Sequence, residues 1–598
     1  MKTKMIAMML TASLSVLTAC STDSLEDYYN NWNYGGIPNG NGGSGSATAG
    51  SGELLSYDVT IDKTTAEPTT TATATYPEAS DDISKNTFAT IVNIDMANPT
   101  AKEENGVTIT VDGNDVTANH GSTEGVCYVV TGTTTDGSLT ISGKTDYELN
   151  LNDVNITNTR STAVNLDSKM KAFVVLTGSN KLTDGTTADD SHKSVLYSKG
   201  KMLFSGTGSL EVYGTYNNGI HSKSNIAFDK GINVYVKTTV NHGIKAGDDL
   251  YINGGILNVE VSGAGAKGIN CDTNVYINGG RTTVVSTSNG TWDTEDQETK
   301  ASAGIASDSI LTINGGEIYL KSTGSGGKGL KADWEGYING GKIRIITTGG
   351  LYYSNGSSES HNYTGNTDNL DDAYTSSPKG IKIGTKNVHG VLNITGGDIM
   401  VRTTGNNAEG IESKGTLTIS DGTVMVSAHD DGINSSGDLT ISGGTVMTVG
   451  TNNDGIDANG NMYLKGGTLV AMGAGGAEAG IDISEDKKLY IDGCNIFGIG
   501  GRFDGSIGST TQGIVSTTGS VSANGTVTIS NGSTTLASFT MPPYSYSNGT
   551  ITVSAPGMSS GSSYTLNLGS TSVSVTASNS VSSSMNGGPG GQPGGRPW

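Results

Sequence analysis

Carboxylates recur in the second half of this chain on one beat. Glu409 and Glu412 are followed by Asp430 and Asp431 with Asn434, then by Asp454 and Asp457, then by Glu478 and Asp482. Residues 401–500 hold 13 acidic and 5 basic side chains, a local balance of −8. Carboxylates stacked at one corner of successive structural repeats repel unless a cation bridges them. Oxygen donors without Cys or His select a hard cation, so the chemistry is that of calcium rather than zinc. Glu409, Glu412, Asp430, Asp431, Asn434, Asp454, Asp457 and Asp482 are therefore the expected metal ligands, and calcium the expected cofactor. The plain alternative is a solvated acidic face screened by salt.

The elements that must position these groups are legible in a repeated phrase. Gly, then Ile or Leu, then a variable residue, then usually a small one begins at Gly219, Gly243, Gly268, Gly304, Gly329, Gly380, Gly410, Gly432, Gly455 and Gly480. Most steps are 22 to 25 residues, and steps of 36, 51 and 30 mark loops inserted into the same beat. About ten residues on comes an apolar-x-apolar-x-Gly-Gly phrase, as in Leu311-Thr-Ile-Asn-Gly-Gly316 and Leu439-Thr-Ile-Ser-Gly-Gly444, and then a third short strand such as Thr445-Val-Met-Thr-Val449. A fixed period of this size marks a solenoid, and three short alternating runs per period make it all-β. The pattern predicts a parallel β-helix of about twelve coils from Val164 through Ile481, closed by a small C-terminal β cap.

In such a stack, residues at one place in the phrase form a column. Two positions after Gly the column reads His221, Lys245, Asn270, Ala306, Lys331, Lys382, Glu412, Asn434, Asp457 and Asp482. Just before Gly it reads Asn218, His242, Lys267, Ala303, Lys328, Lys379, Glu409, Asp431, Asp454 and Ala479. Alternation along the strand places the first column on the outside, and both columns change from basic to acidic near residue 400. The inserted loops add aromatic residues: 288–302 holds Trp292 among four carboxylates, and 349–377 holds Tyr352, Tyr353, Tyr363 and Tyr374. Rings beside carboxylates suit a sugar, whose C–H face stacks while its hydroxyls are held. Lys331, Lys382, Trp292, Tyr352, Tyr353 and Tyr363 are the expected substrate-binding set.

The ends of the chain carry other signals. Lys2 and Lys4 precede an apolar run from Met5 to Leu17, then Leu17-Thr-Ala-Cys20, the outline of a secretory signal. The ending resembles the bacterial lipoprotein box, which implies cleavage before Cys20, acylation of that cysteine and a membrane contact through the lipid alone. The acidic stretch after it resembles the tethers of surface-exported Bacteroidetes lipoproteins, implying an outer-membrane lipoprotein at the cell surface. The expected organisation is a signal over 1–19, an acidic and Gly/Asn-rich tether over 20–55, the β-helix over 56–515, a C-terminal β cap over 516–582 and a disordered Gly/Pro tail over 583–598.

Gly125-Val-Cys-Tyr-Val-Val-Thr-Gly132, Leu149-Asn-Leu-Asn-Asp-Val-Asn-Ile-Thr157, Ser194-Val-Leu-Tyr-Ser-Lys-Gly200 and the Gly-Ile phrases together resemble the clostridial carbohydrate-binding β-helix family. That resemblance implies a right-handed parallel β-helix of pectate-lyase type, bound calcium and non-catalytic binding of plant cell-wall polysaccharide, polygalacturonate or cellulose. An acidic plant glycan is the expected partner. The rival class is an enzyme: Asp430-Asp-Gly-Ile-Asn434 resembles the calcium cluster of family 9 pectate lyases, with Asn434 in place of their last Asp. A third class is a surface adhesin with no sugar ligand. A net charge of −22 argues against nucleic acid. Beyond Cys20 only Cys127, Cys271 and Cys494 occur, without C-x-x-C spacing, so no redox or zinc site is expected.

Overall fold

The structure, a computed structural model, describes residues 47–49, 57–64, 66–69, 73–186, 192–354, 374–501, 503 and 505–580. The Gly-Ile phrases form one ladder. Strands such as Asn218–Ser222, Lys267–Cys271, Ala303–Ser307, Lys328–Ala332, Lys379–Ile383, Glu409–Ser413 and Ile433–Ser435 lie side by side in a sixteen-stranded sheet. Each pairs in parallel with the equivalent strand of the next coil. The parallel run extends before Val164 through Leu139–Ser142 to Asp115–Asn119, where antiparallel strands begin the sheet. The other two strands of each coil belong to a 29-stranded sheet, because Leu439–Gly450 and Met462–Met472 run through their Gly-Gly corners without a break.

The register explains the phrase. Ile220, Ile244, Ile269, Ile305, Leu330, Ile381, Ile411, Ile433 and Ile456 are all fully buried, one above another. The Gly before each is required by crowding: a Cβ on Gly380 would sit 2.2 Å from Val401 Cγ1 and 2.6 Å from the Gly410 carbonyl. The second Gly of each Gly-Gly corner turns the chain with positive φ, +84° at Gly316. Just ahead of that corner, Asn253, Asn278, Asn314 and Asn339 hydrogen-bond amide to amide at 2.9 Å from coil to coil. Cys127, Cys271 and Cys494 are buried free thiols.

Two segments lie along the flanks. The described residues of 57–88, which fall inside the span expected for the β-helix, form a strap with no strand before Thr90–Asp95. The Tyr57 hydroxyl donates to the carbonyls of Ile345 and Met400, Lys63 pairs with Glu211 at 2.7 Å, and Glu67 accepts from the Gly231 and Gly255 amides. Asp81, fully buried, ends the path between Lys171 and Lys201. The strap thus runs against the direction of the stack. At the other end, Tyr544–Ser554 pairs antiparallel with both Asn495–Gly500 and Ile514–Val521. The boundary expected between 515 and 516 therefore falls inside a strand. Tyr544, Tyr546 and Phe539 pack with Met400, Met425, Met447 and Phe497, so this unit also covers the flank of the late coils.

Replacing Ile433 by Asp places an unpaired charge inside the stacked aliphatic column. The expected loss is roughly 3–5 kcal/mol, measured as a fall in denaturation midpoint. A variant that melts with its parent would show that this column does not hold the coils together.

Candidate functional site: a charged ladder between two walls

The two columns form as the phrase spacing requires. His221, Lys245, Asn270, Ala306, Lys331, Lys382, Glu412, Asn434, Asp457 and Asp482 are consecutive partners in the parallel ladder. Their setting differs from the open outer face expected. Glu412 is only 2% exposed, Asp431 5% and Lys328 3%, so the charged groups line a floor rather than a surface. Over Lys328 an insertion supplies the cover. The hairpin that pairs Tyr352–Tyr353 with Thr375–Ser376 lies over Lys328, whose Nζ donates to the Gly326 carbonyl, Ser376 Oγ and the Ser377 carbonyl.

One wall is aromatic. Trp292, on the hairpin Thr291–Asp293/Glu298–Lys300, stacks on Tyr374 with centroids 5.0 Å apart and planes 9° from parallel. Tyr352 packs beside Gly290 and Gly326, and Tyr353 is its neighbour on the same strand. Tyr363 and Cys20 lie outside the described residues. The opposite rim, at the corner leaving each strand, carries Asp272, Asp308 and Asp333 on three successive coils. Lys331 pairs with Asp333 at 2.5 Å and Lys245 with Asp272 at 3.4 Å.

Along the floor the basic and acidic runs meet between Lys379–Ile383 and Glu409–Ser413. Lys379 Nζ lies 2.6 Å from Glu409 and 3.6 Å from Glu412, and Lys414 lies 2.5 Å from Glu412. Burial works against the charge on Glu412, but Lys379, Lys382 and Lys414 together outweigh it and hold the carboxyl below its ordinary range. Glu409 and Glu412, expected as metal ligands, are thus the counter-charges of the lysine run. This is a correction with a simple cause: lysine stems reach across one coil spacing, about 4.8 Å, to the first carboxylates they meet.

Beyond the junction no such relief exists. Burial, then Asp482 and Asp457, pushes the Asp454 carboxyl up to about 9, and burial with Asp482 and Glu409 brings Asp457 to about 7. Burial and Glu409 raise Asp431 well above the usual carboxylate range. Asp431 accepts from the Asp454 amide and from Asn434 Nδ2, Asp454 accepts from the Ala479 amide, and Asp430 accepts from Asn453 Nδ2. Among the described residues, no set of three or more His, Cys, Asp or Glu side chains gathers as a group able to hold a metal ion. The basic run is strained in the opposite sense. Burial and neighbouring lysines hold Lys328 well below its ordinary range and draw Lys267 down to about 8. Lys267, Lys328 and Lys379 belong to the ladder without having been singled out in the sequence, although the column before Gly held the signal for them.

The sign of the pH dependence follows. Asp454 and Asp457 keep protons in the folded chain that the unfolded chain releases above about pH 4, so stability falls as pH rises toward the folded value, about 9 for Asp454. In chelator, the melting temperature should fall from about pH 5 to about pH 9, and Asp454→Asn should make that slope shallower, above all at its alkaline end. An equal slope in parent and variant would place the titration elsewhere.

Comparison with known proteins places this ladder in a family. The model of the carbohydrate-binding domain-containing proteins matches three overlapping stretches, residues 103–267, 234–452 and 428–590, which together span most of the chain. A solved structure described as the polysaccharide lyase-like protein from C. thermocellum, a gadolinium derivative, matches at 24% identity over 42% of this chain and 96% of that one, with a TM-score of 0.33. No curated protein matches. The three family matches run the length of the charged ladder, and the chain belongs to the family of carbohydrate-binding domain-containing proteins.

Proposed function

We propose that this chain holds an acidic plant cell-wall polysaccharide, polygalacturonate first, along the charged floor, with calcium shared between protein and glycan and without cutting the chain. The observation that carries the reading is the ladder itself: a continuous line of ionic groups, basic then acidic, between an aromatic wall and a carboxylate rim. Lysines at Lys245, Lys331 and Lys382 meet uronate carboxylates directly, against a net charge of −22 that would otherwise repel them. Sugar rings lie on the Trp292–Tyr374 face. Repetition from coil to coil lets several sugar units bind at once, which raises avidity without any strong single contact.

The acidic run fits a hard divalent cation in its donor chemistry. Asp431, Asp454 and Asp457 offer oxygen only, form no ion pair with Lys or Arg among the described residues, and hold protons where a cation would relieve them. They supply part of a coordination sphere, and uronate carboxylates and water complete it. When bound, calcium would supply charge of the sign an acidic glycan needs at this end of the floor. Acylation at Cys20 would tether the molecule at the outer membrane, with the floor presented at the cell surface.

A second reading has one observation in its favour. A lysine drawn down to about 8, as Lys267 is, suits proton abstraction, so a polysaccharide lyase is the alternative. Both are separated by one set of measurements. Polygalacturonate binding, followed by calorimetry, should weaken at least tenfold, about 1.4 kcal/mol, with chelator and with Asp431→Asn/Asp454→Asn. No unsaturated product should accumulate. Steady release of unsaturated oligosaccharides would move the assignment to a lyase. Chelator-insensitive binding of neutral cellulose would move the site to the aromatic wall, and failure to bind any glycan would leave an adhesin.

A further inference from the structure

Midway along the floor both charged columns are interrupted by alanine. Ala303 and Ala306 stand in register between Lys267 and Asn270 on the preceding coil and Lys328 and Lys331 on the following one. Both alanines are themselves buried, and their methyl groups carry no charge to offer the lysines on either side. Three coils later the same two places are filled by Glu409 and Glu412, where Lys379, Lys382 and Lys414 find their counter-charges. At Ala303 and Ala306 neither column supplies an acidic side chain, and of the lysines on the flanking coils Lys267 alone lacks a partner among the described residues.

The surrounding groups do not replace it. Lys267 is half-buried, and its Nζ has no hydrogen-bond or ion-pair partner among the described residues. The charges that act on it most strongly are a like one, Lys331, and the exposed rim carboxylate Asp308. Lys331 is paired with Asp333, and Lys328 is satisfied by the hairpin over it. Asn270, 3% exposed, leans its amide on Asp272 at 3.4 Å and leaves a buried Oδ1 without a partner. On the same coils stand the two large aromatic residues with the greatest exposure among the described residues, Trp334 at 56% and Tyr374 at 40%. Tyr374 belongs to the wall before the alanine strand, and Trp334 follows Asp333 on the far rim.

We infer that the two-alanine gap is a specificity subsite for one oxyanion substituent of the glycan, a carboxylate or a sulfate ester, seated between the ammonium groups of Lys267 and Lys331. The ligand's anion takes the place that Glu412 takes by covalent attachment further along. The sugar that carries it turns a hydroxyl toward Asn270 Oδ1 and lies between Trp334 and Tyr374. This rests on the reading that the floor binds acidic polysaccharide, and it names where along that floor the anionic group is recognised.

The test uses the full chain with three probes: galacturonate oligomers, the same oligomers as methyl esters, and a sulfated galactan. Lys267→Gln and Lys331→Gln should each weaken galacturonate binding about tenfold, the loss expected of one charge-assisted hydrogen bond. Methyl esters should bind weakly to parent and variants alike, and tight binding of the sulfated galactan instead of galacturonate would identify the oxyanion as sulfate. Ala306→Glu, which supplies the anion from the chain itself, should raise the melting temperature and abolish binding of the anionic probe, whereas Ala306→Gln should not raise it. Unchanged affinity in Lys267→Gln, with binding still lost in Lys382→Gln, would overturn the subsite and leave the broader reading standing. A parent that binds none of the acidic probes would overturn both.

Discussion

Every side chain in a stacked coil must tolerate its own equivalent one coil above and one below. The parallel backbone ladder fixes that distance at about 4.8 Å and gives no freedom to avoid it. For aliphatic groups the constraint is favourable, and the column from Ile220 to Ile456 is the core. For amides it is favourable once the donor of one meets the acceptor of the next, as in the Asn253 to Asn339 ladder. For aromatic rings it produces stacks such as Tyr251 on Tyr276 and Tyr463 on Tyr490, each with centroids 4.9 Å apart. For like charges it is unfavourable: at an effective dielectric constant of 20, two heads at the coil spacing repel by about 3.5 kcal/mol.

The charged floor is what that constraint leaves when like charges stand in one column. Each run has a different relief. At the junction, Lys379, Lys382 and Lys414 neutralise Glu409 and Glu412. Past it, Asp431, Asp454 and Asp457 are relieved by protons, and at the other end His221 and His242 stay neutral because burial and nearby lysines pull them below their ordinary range. Groups that would be ionised in water are held partly discharged, and a ligand that restores their charge balance is rewarded for doing so. This is the energetic basis on which the floor is proposed as the binding surface.

The phrase Gly-Ile-x-small was enough to place each member of both columns on the correct coil, because a period read from glycines is also the hydrogen-bonding register. It was not enough to say how deeply they lie. At Lys328 the depth comes from an inserted hairpin, and an insertion such as 349–377 breaks the repeat from which everything else is read. The pairing of Glu409 and Glu412 with lysines was missed for a related reason. A column written as letters shows composition, whereas a lysine stem spans to the next coil and chooses its partner there. The strap at 57–88 carries no period at all, since its contacts are made with coils up to 343 residues away in sequence.

That strap sets where mechanical load enters the molecule. Pulling on residues before Tyr57 does not lift the first coil away from the second. The force arrives first at Ala47–Ala49, paired antiparallel with the strand holding Tyr544–Tyr546, then at the carbonyls of Ile345 and Met400, late in the stack, and passes back along contacts at Lys321, Glu211, Gly231, Asn253 and Lys171. Those bonds are loaded together, in shear, instead of one at a time as in peeling. A solenoid held by its end would unzip coil by coil under drag on a bound polymer; one held along its flank shares the load among many coils and keeps the floor straight.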